Sequence, residues 1–255
     1  MNQFLKHESC PSCGSRDNLG VWADGHKWCF GCGYYVPPAG GTAARIKFKL
    51  AKETEVVGKP IKMPSDCTNN FPKEAKAWLD SFQIFHQDIV KHHIQWSDRA
   101  KGIVLPIMNK EGEPVFYQIR RFDMQPKYLT FGAVTLDKQL PIFGIENQDI
   151  VTTDTVVVVE DYISAIRVSY VAHCLPLFGS HLNLATASAL SRKYKNLIIW
   201  LDADKYSEAV KFYNQYCYLF EGCVALRTTM DPKKYAHYEI TANLSHYLKE
   251  VKASA

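Results

Sequence analysis

Long apolar runs are missing from this sequence. The longest clean ones, residues 155–159 and 197–201, stop far short of the ~18 residues that a membrane-spanning helix needs. The first residues carry no apolar stretch behind a basic start, so no secretory signal is expected. We therefore expect a cytoplasmic chain with reduced thiols and no membrane partner.

Other classes are also excluded by what the sequence lacks. The motif G-x-x-x-x-G-K-S/T occurs nowhere, so a P-loop motor is not indicated. There is no internal repeat and no low-complexity tract. Apolar residues make up 47% and charged residues 22%, which is typical of a globular protein and not of a disordered one. A length of 255 residues allows one large domain or two unequal ones.

Excess charge is absent from most of the chain. Residues 1–52 carry seven Lys or Arg against three acids, whereas the remaining residues hold 23 of each sign. The net charge of +4 therefore belongs to the amino-terminal part. A basic head on a neutral body favours contact of the head with a polyanion.

Breaks in the pattern divide the chain into four parts. Prolines and glycines at 37–41 end a compact, cysteine-rich segment, and the Lys- and Ala-rich stretch that follows has little periodicity. We predict a small cysteine-rich unit over residues 1–38, a flexible linker over 39–65, an α+β subdomain over 66–148 and an α/β unit over 149–255.

The last two parts differ in periodicity. The α+β subdomain is expected to contain helices over 72–82 and 86–93 and a hairpin over 102–122, with His92 and His93 as a surface pair. The α/β unit alternates strands and helices, which predicts a parallel sheet with crossover helices. Its expected strands are 155–159, 174–178, 197–201 and 223–228, and its expected helices are 162–171, 183–193 and 207–218.

Cysteine is concentrated in the amino-terminal unit. Two C-x-x-C pairs, Cys10 with Cys13 and Cys29 with Cys32, are separated by 15 residues. Two tight turns at this spacing can present four thiolates tetrahedrally to one ion, so we predict a ribbon that binds structural Zn²⁺ through these cysteines. The remaining cysteines lie in apolar contexts and are assigned to packing: Cys67, Cys174, Cys217 and Cys223.

One stretch of the ribbon combines groups that bind nucleic acids. Asp24, His26 and Trp28 lie close together, and a ring there can stack on a base while the polar side chains bond to base edges. Two simpler explanations stay open. The ribbon could serve only its own stability, and Trp28 could belong to a small core with Trp22 and Phe30.

Three carboxylates follow apolar strands of the α/β unit. Glu160 comes directly after VVVV, and Asp202 and Asp204 follow IIWL. Ligands bind at the carboxyl edge of an open parallel sheet, and residues two apart in extended backbone point the same way. These side chains are therefore expected to hold Mg²⁺ or Mn²⁺ for phosphoryl or nucleotidyl transfer, although acids after strands can also be helix caps.

Three segments, in this order, resemble the DNA primases of bacteria and phages. CPSCGS with the later DGHKWCFGC is similar to the zinc ribbon of phage primase-helicases. IVLPIMNKEGEPVFYQIRRF followed by QPKYLT resembles their basic subdomain, and the Glu plus DxD sheet resembles their Toprim domain. The resemblance covers most of residues 8–231. It implies a zinc ribbon and a linker, then a basic α+β subdomain, then a Toprim-type parallel sheet flanked by helices.

The resemblance also implies roles for single residues. Glu160 matches the Toprim glutamate, while Asp202 and Asp204 match the metal-binding acidic pair. The residues that would grip the template strand or the nucleotide phosphates are Arg120, Arg121 and Lys127.

The residues themselves limit these basic roles. Neighbours on a strand point to opposite faces, so at most one of Arg120 and Arg121 can line a given groove. Arg120 is preferred, because it continues the spacing of Phe116 and Gln118. Lys127 stays open between a phosphate contact and a solvated turn lysine. Lys205 stays open between neutralising the site, a phosphate contact and a solvated lysine at a helix start.

The chain departs from the family pattern near its acids. The family usually follows its glutamate with Gly and has Asp four positions after it, whereas this chain has Asp161 and Ser164 there. Asp161 could replace a missing metal-supporting acid. Asp231 stands where a further acid is often found, or in an ordinary Asp-Pro turn.

These observations together predict a DNA primase. Such a nucleotidyltransferase makes short RNA primers from ribonucleoside triphosphates on single-stranded DNA, here with the ribbon selecting the template site. A separate replicative helicase is the implied partner, because the motor motif is absent. The alternative is a catalytically idle DNA-binding module that loads a helicase, with a Toprim nuclease ranked behind it.

Overall fold

The computed structural model describes residues 3–12, 14–29, 34–38, 44–45, 60–132, 140–148, 150, 153–179 and 181–253. The chain divides into two compact units, residues 1–54 and 55–255. Most of the predicted linker lies outside the described residues. Within the described ranges, no helix is both long enough and apolar enough to cross a bilayer.

The amino-terminal unit contains an antiparallel sheet in which chain order is also spatial order. Its strands are β1 (Phe4–Glu8), β2 (Leu19–Trp22), β3 (Lys27–Cys29), β4 (Tyr34–Val36) and β5 (Ala44–Arg45). Cys10, Leu19 and Cys29 form its buried cluster. Trp22 and Trp28 are half-buried, and neither is among the described members of that cluster. Phe30 lies outside the described residues.

The second unit begins with another antiparallel sheet, of spatial order β10-β9-β8-β7-β6. Its strands are β6 (Cys67–Thr68), β7 (Gln95–Ser97), β8 (Gly102–Met108), β9 (Pro114–Arg121) and β10 (Tyr128–Gly132). β8 and β9 form the predicted hairpin, and its turn contains Gly112 at a φ of +78°, which glycine adopts without strain. The sequence pattern did not predict β10, which pairs Tyr128 with Arg120 of β9.

Two helices connect β6 to β7, as the amphipathic pattern predicts. They are α1 (Lys73–Ser81) and α2 (His86–Lys91). The expectation that His92 and His93 form a surface pair is wrong for the first of them. His93 is exposed, but the ring of His92 stacks on that of Phe143 with centroids 5.0 Å apart. An apolar neighbour distant in sequence therefore covers this histidine.

The carboxyl-terminal part is an α/β layer, which confirms the predicted fold class of a parallel sheet flanked by helices. The spatial order is β12-β11-β13-β14, and all neighbours are parallel. The strands are β11 (Thr155–Val159), β12 (His173–Pro176), β13 (Asn196–Ile199) and β14 (Gly222–Ala225). The helices are α3 (Tyr162–Val168), α4 (Leu184–Ser191), α5 (Tyr206–Tyr216) and α6 (His237–Ala253).

β11 is covered on both faces, as expected of a central strand in such a layer. Val157 and Val159 pack in one cluster with residues of α3 and of the antiparallel sheet. Val156 and Val158 pack in a second cluster with residues of α4 and α5. The first cluster thus joins the two sheets of this unit into one core.

A buried hydroxyl also joins the two sheets. Tyr162, at the start of α3, is 2% exposed, and its hydroxyl donates to the carbonyl oxygen of Pro106 in β8 at 2.7 Å. The same hydroxyl lies 3.3 Å from the carbonyl oxygen of His92. This contact fixes α3, which begins beside Glu160, against the antiparallel sheet.

Candidate active site

The carboxyl edge of the parallel sheet carries two of the predicted acids. Glu160 directly follows β11, and Asp202 follows β13 after two further residues. Because β11 and β13 are neighbouring parallel strands, both side chains emerge at the same edge. Both line one groove.

Asp204 does not share this placement. The backbone enters a 3₁₀ helix, Ala203–Lys205, directly after Asp202, so the extended backbone expected over 202–204 is not formed. Asp204 is exposed and is not among the residues that line the groove. The geometric expectation was therefore wrong, and the metal-binding role of Asp204 stays a prediction.

The groove has a volume of about 490 Å³ and is lined by both sheets of the second unit. The parallel part contributes mainly acids and one lysine: Glu160, Asp161, Asp202, Asp231 and Lys233. The antiparallel sheet and its turn contribute cationic and polar groups: Gln118, Arg120, Lys127, Tyr128 and Thr130. Acids that can hold a metal ion thus line the same space as cations that can bind phosphate.

Lys233 lies among the acids. It belongs to the 3₁₀ helix Pro232–Lys234, and its side chain is 17% exposed. Its Nζ atom donates to Oδ2 of Asp161 at 2.6 Å and to Oδ2 of Asp202 at 2.8 Å. Oδ2 of Asp231 is 3.9 Å away and pairs with Lys234 at 2.9 Å. One half-buried ammonium group therefore links the ends of β11 and β13.

Asp161 also caps a helix. Its Oδ1 accepts the backbone N–H of Ser164 at 2.9 Å, and its Oδ2 accepts the Ser164 hydroxyl at 3.1 Å. This is the arrangement of an N-cap residue, which satisfies a backbone donor in the first turn of α3. The departure from the family pattern at these two positions thus forms a helix cap, and both carboxylate oxygens of Asp161 already accept hydrogen bonds.

Burial and neighbouring charges raise the pKa of Glu160, of Asp202 and of Lys233. Burial, together with the charges of Asp202 and Asp161, raises the pKa of Glu160. Burial also raises the pKa of Asp202, although Lys233 opposes this shift. Burial alone would lower the pKa of Lys233, but the charges and hydrogen bonds of Asp161 and Asp202 raise it instead. Lys233 is therefore a cation, and the remaining negative charge favours a further cation.

Two carboxylate oxygens of this cluster fit such a cation. Among the described residues, Oε2 of Glu160 and Oδ1 of Asp202 are buried and have no hydrogen-bond partner. Buried polar atoms are nearly always paired, and hard divalent cations take carboxylate oxygens as ligands. Within the described ranges, however, no three His, Cys, Asp or Glu side chains come together as a complete metal-binding group.

Aromatic rings hold Arg120 in the groove. Its guanidinium carbon lies 5.0 Å from the ring centroid of Phe122, 5.4 Å from that of Trp78 and 5.7 Å from that of Tyr128. Attraction between the cation and these rings restricts the long side chain to one position. A fixed guanidinium can then bind a phosphate group with little loss of side-chain entropy.

Arg121 lies apart from the groove lining. Its Nη2 donates to the carbonyl oxygen of Gln125 at 3.2 Å, and it is not among the lining residues. Arg120 is thus the member of the pair that lines the groove, in line with the alternation of side chains along β9. Whether either arginine contacts DNA stays a prediction.

The two predicted lysines line different cavities of the second unit. Lys127 is exposed and lines the groove. Lys205 is also exposed, and it lines a smaller cavity of about 100 Å³ that shares Glu160 and Gly179 with the groove. Its charge acts against the rise in the pKa of Glu160. Both lysines can therefore meet an anion bound near the acids.

The amino-terminal unit presents its predicted residues on β3 and the turn before it. Oδ1 of Asp24 accepts the backbone N–H of His26 at 3.1 Å and lies 2.6 Å from Nδ1 of its ring. The His26 ring stacks on Trp22 with centroids 4.4 Å apart, and Trp28 lies beside Tyr35 at 6.2 Å. These rings are half-buried, and a role in binding DNA stays a prediction.

Two of the four predicted zinc ligands are described. Cys10 is 2% exposed and Cys29 is fully buried, and both belong to one small cluster. Two thiols buried together are compatible with part of the predicted zinc site, and ligation by all four cysteines stays a prediction. Cys13 and Cys32 lie outside the described residues.

Sequence reasoning missed several residues of the groove, among them Lys233, Trp78 and Tyr128. Lys233 follows the Asp-Pro turn and carries no pattern of its own, because an isolated lysine at a turn is normally solvated. Trp78 lies on a helix whose existence was predicted but whose contact with β9 was not. Tyr128 lies within the PKYLT motif, and only the pairing of β10 with β9 places it beside Arg120.

Known proteins resemble this chain in sequence over a short segment. The DNA helicase/primase of Enterobacteria phage T3 is 53% identical over 34 residues, which are 13% of this chain and 6% of the phage protein. The matched segment thus spans a small fraction of that relative. No protein-family model matches the chain.

Solved primases resemble it over most of its length. The zinc-binding and RNA polymerase domains of the Aquifex aeolicus primase align with a TM-score of 0.55 and 15% identity, covering 97% of this chain and 80% of that one. The DnaG primase catalytic domain bound to ssDNA aligns with a TM-score of 0.52 and 16% identity, covering 70% and 71%. The E. coli primase catalytic core gives 0.52 and 16%, covering 69% and 72%. The resemblance to bacterial and phage primases is confirmed, and at this identity it is a likeness of fold.

Proposed function

We propose that this chain is a DNA primase that joins ribonucleoside triphosphates into a short RNA on single-stranded DNA. The observation that carries the proposal is the groove in which Glu160 and Asp202 line the same space as Arg120 and Lys127. The fold shared with primases supports it, and one of those structures was solved with bound ssDNA. A metal-binding edge beside anchored cations is what transfer of a nucleotidyl group requires.

Each side chain has a role in this proposal. Glu160, Asp202 and Asp204 would hold Mg²⁺ or Mn²⁺, which when bound lowers the pKa of the attacking 3′ hydroxyl and balances charge on the triphosphate. Arg120, Lys127 and Lys205 would bind phosphate groups. Arg121 would contact the template outside the groove.

The proposal extends to the amino-terminal unit. A zinc ribbon over residues 1–38 would select the template site through Asp24, His26 and Trp28, with Zn²⁺ held by Cys10, Cys13, Cys29 and Cys32. The linker over 39–65 would connect it to the basic subdomain over 66–148 and the Toprim domain over 149–255. The phage relative is named a helicase/primase, which favours a replicative helicase as a partner.

Incorporation of labelled ribonucleotides tests this function. The purified chain is incubated with Mg²⁺, all four ribonucleoside triphosphates and a pool of single-stranded DNA templates. We expect short RNAs that disappear with EDTA and with Glu160→Gln. The active templates, once sequenced, would show which sites are selected, and Trp28→Ala should weaken that selection.

A second candidate is a helicase-loading module without catalysis. The observation that favours it is the ammonium of Lys233 bound to Asp202, one of the predicted metal ligands. Absence of RNA on every template, with the helicase present and zinc bound, would support this candidate. Cleavage of single-stranded DNA without added nucleotides would instead support a nuclease.

A further inference from the structure

We propose that Lys233 supplies one of the positive charges of the active site, so that the groove binds a single divalent cation. This inference rests on the proposed function, which supplies the reaction of the site. Enzymes of nucleotidyl transfer often use two metal ions about 3.5–4 Å apart, which together neutralise shared carboxylates. In this chain an ammonium group takes the place of one of them.

The contacts of Lys233 are those of a shared cation. Its Nζ atom lies 2.6 Å from a carboxylate oxygen of Asp161, 2.8 Å from one of Asp202 and 3.9 Å from one of Asp231. These acids come from three separate chain segments at the carboxyl edge of the sheet. A lysine that serves only solubility would extend into water, whereas this side chain is 17% exposed.

In this proposal each carboxylate oxygen of Asp202 binds a different cation: one binds the ammonium of Lys233 and the other the metal ion. Oδ2 accepts from Lys233, whereas Oδ1 is buried without a hydrogen-bond partner among the described residues. Oε2 of Glu160 is likewise buried without a hydrogen-bond partner among the described residues. A bridging carboxylate of this kind joins the two ions of a two-metal site, and here it would join the ammonium to one metal ion.

The net charge of the acids in the groove and of the lysines paired with them also indicates one bound divalent cation. Asp231 is compensated by its pair with Lys234. Asp161 and Asp202 share the single charge of Lys233, and Glu160 has no lysine within ion-pair distance among the described residues. Among the acids that line the groove, two negative charges therefore remain, and one divalent cation neutralises them. A second divalent ion would have to displace a half-buried ammonium from two carboxylates, which is costly.

The backbone around Lys233 is anchored, so the ammonium is a fixed part of the site. Pro232 and Tyr235 on either side of the lysine pair are buried. The carbonyl oxygen of Tyr235 accepts a hydrogen bond from Nη2 of the buried Arg167 at 3.1 Å. Arg167 also donates to the Gln83 side chain at 2.8 Å, which ties this segment to the end of α1.

Counting bound Mn²⁺ tests the proposal without requiring synthesis. The zinc-loaded full chain is titrated with Mn²⁺ alone, and free Mn²⁺ is followed by electron paramagnetic resonance. We expect one tightly bound ion per chain, which Asp202→Asn removes. Lys233→Gln should bind two ions, the first about tenfold more tightly, because one positive charge has left the cluster. Lys233→Arg, which keeps the charge, should still bind one.

Lys234→Gln is the matched control. It removes the same charge one position away, from a side chain that is 52% exposed and pairs only with Asp231 among these acids. It should leave the count at one, because Lys233 still holds Asp161 and Asp202, and water screens the charge that Lys234 leaves on Asp231. Circular dichroism and the zinc content check that each variant is folded.

Several results would overturn the assignment. Two Mn²⁺ ions in the unaltered chain would do so even if Lys233→Gln fails to fold, and so would no bound ion, or one ion in a folded Lys233→Gln. The proposed function is judged separately by RNA synthesis. A count that depends on Lys233 in a chain that makes no RNA would contradict the primase and leave the charge assignment intact.

Discussion

The two sheets of the second unit bring opposite charges to one groove by different means. In the parallel sheet, Glu160 and Asp202 are placed by topology, because neighbouring strands end at the same edge. In the antiparallel sheet, Arg120 is placed by its neighbours, because Trp78, Phe122 and Tyr128 surround its guanidinium group. The acids are thus fixed by the backbone, and the arginine by side-chain packing.

The sheets also differ in burial. β11 is buried along its whole length, whereas β10 is an edge strand with exposed Tyr128 and Phe131. Changes on the acidic side should therefore affect chemistry while the fold persists. Changes on the aromatic side should affect binding through the position of one side chain. The following predictions test this contrast, beginning with the largest expected effect.

Asp202→Asn should reduce RNA synthesis by about 10²–10³-fold, the usual cost of losing a group that stabilises the reacting charges. The measurement is the initial rate of nucleotide incorporation on one active template. Asp204→Asn is the control, with the same change two positions away on an exposed carboxylate. Its expected loss is about tenfold, because a screened charge contributes less. Equal losses would mean that Asp204 acts inside the groove.

Arg120→Ala should lower kcat/KM for the nucleotide or template by about 10–100-fold, since one or two charge-assisted hydrogen bonds to phosphate are lost. Arg121→Ala, the adjacent change outside the groove, should lower it by no more than about fivefold, because an exposed contact with a template phosphate contributes about 1 kcal/mol or less. Trp78→Leu should fall between them, because it keeps the charge but removes a ring that positions it. If both arginine variants lose the same activity, the aromatic rings around Arg120 do not give it a larger role than Arg121.

His92→Phe should remove an acid-dependent loss of stability at the junction of the two sheets. Burial, helped by the charge of Lys91, lowers the pKa of His92 to about 4. The unfolded chain, with a pKa of about 6.5, binds the proton more readily, so stability falls as the pH drops from 6.5 towards 4. Between pH 7 and pH 5 the loss is about 1–2 kcal/mol.

Urea unfolding at pH 7 and pH 5 measures this loss. The phenyl ring preserves the stacking on Phe143, so the variant should lose less stability on acidification than the unaltered chain. His93→Asn, at the exposed neighbour, should keep the full loss. An unchanged difference between the two pH values in His92→Phe would show that this histidine is not the source.

Tyr162→Phe should cost about 1–2 kcal/mol of unfolding free energy, because the Pro106 carbonyl oxygen is left without its donor inside the core. Tyr218→Phe, at a residue that is 56% exposed, should cost under about 0.5 kcal/mol. Incorporation rates should remain near normal in both variants. A large loss of synthesis in Tyr162→Phe would mean that the sheets move relative to each other during the reaction.

Much of the fold follows from the sequence, because its strands are apolar runs with sharp ends. The bounds of β11 were predicted without error. β12 ends earlier than expected, at Pro176, because Phe178 has a φ of +54° and leaves the strand. β10 was missed, since the exposed PKYLT segment carries no apolar alternation and becomes a strand only by pairing with β9.

The candidate site could be predicted in part for similar reasons. Glu160 and Asp202 follow recognisable strands, so their common edge could be predicted. The placement of Asp204 could not be predicted, because the alternation of side chains assumes an extended backbone, and the chain forms a 3₁₀ turn directly after Asp202. Lys233 could not be found either, because its burial depends on acids 31 and 72 residues away.

The two contacts of Asp161 restrict which residues can replace it during evolution. Its carboxylate starts α3 through Ser164 and also holds Lys233. A substitution at Asp161 would therefore remove a helix cap and leave an ammonium group without its nearest partner. We expect these three positions to vary together among related chains, and a relative with an acid in place of Ser164 to carry a different residue in place of Lys233. Alignment of relatives that share the fold would measure this covariation.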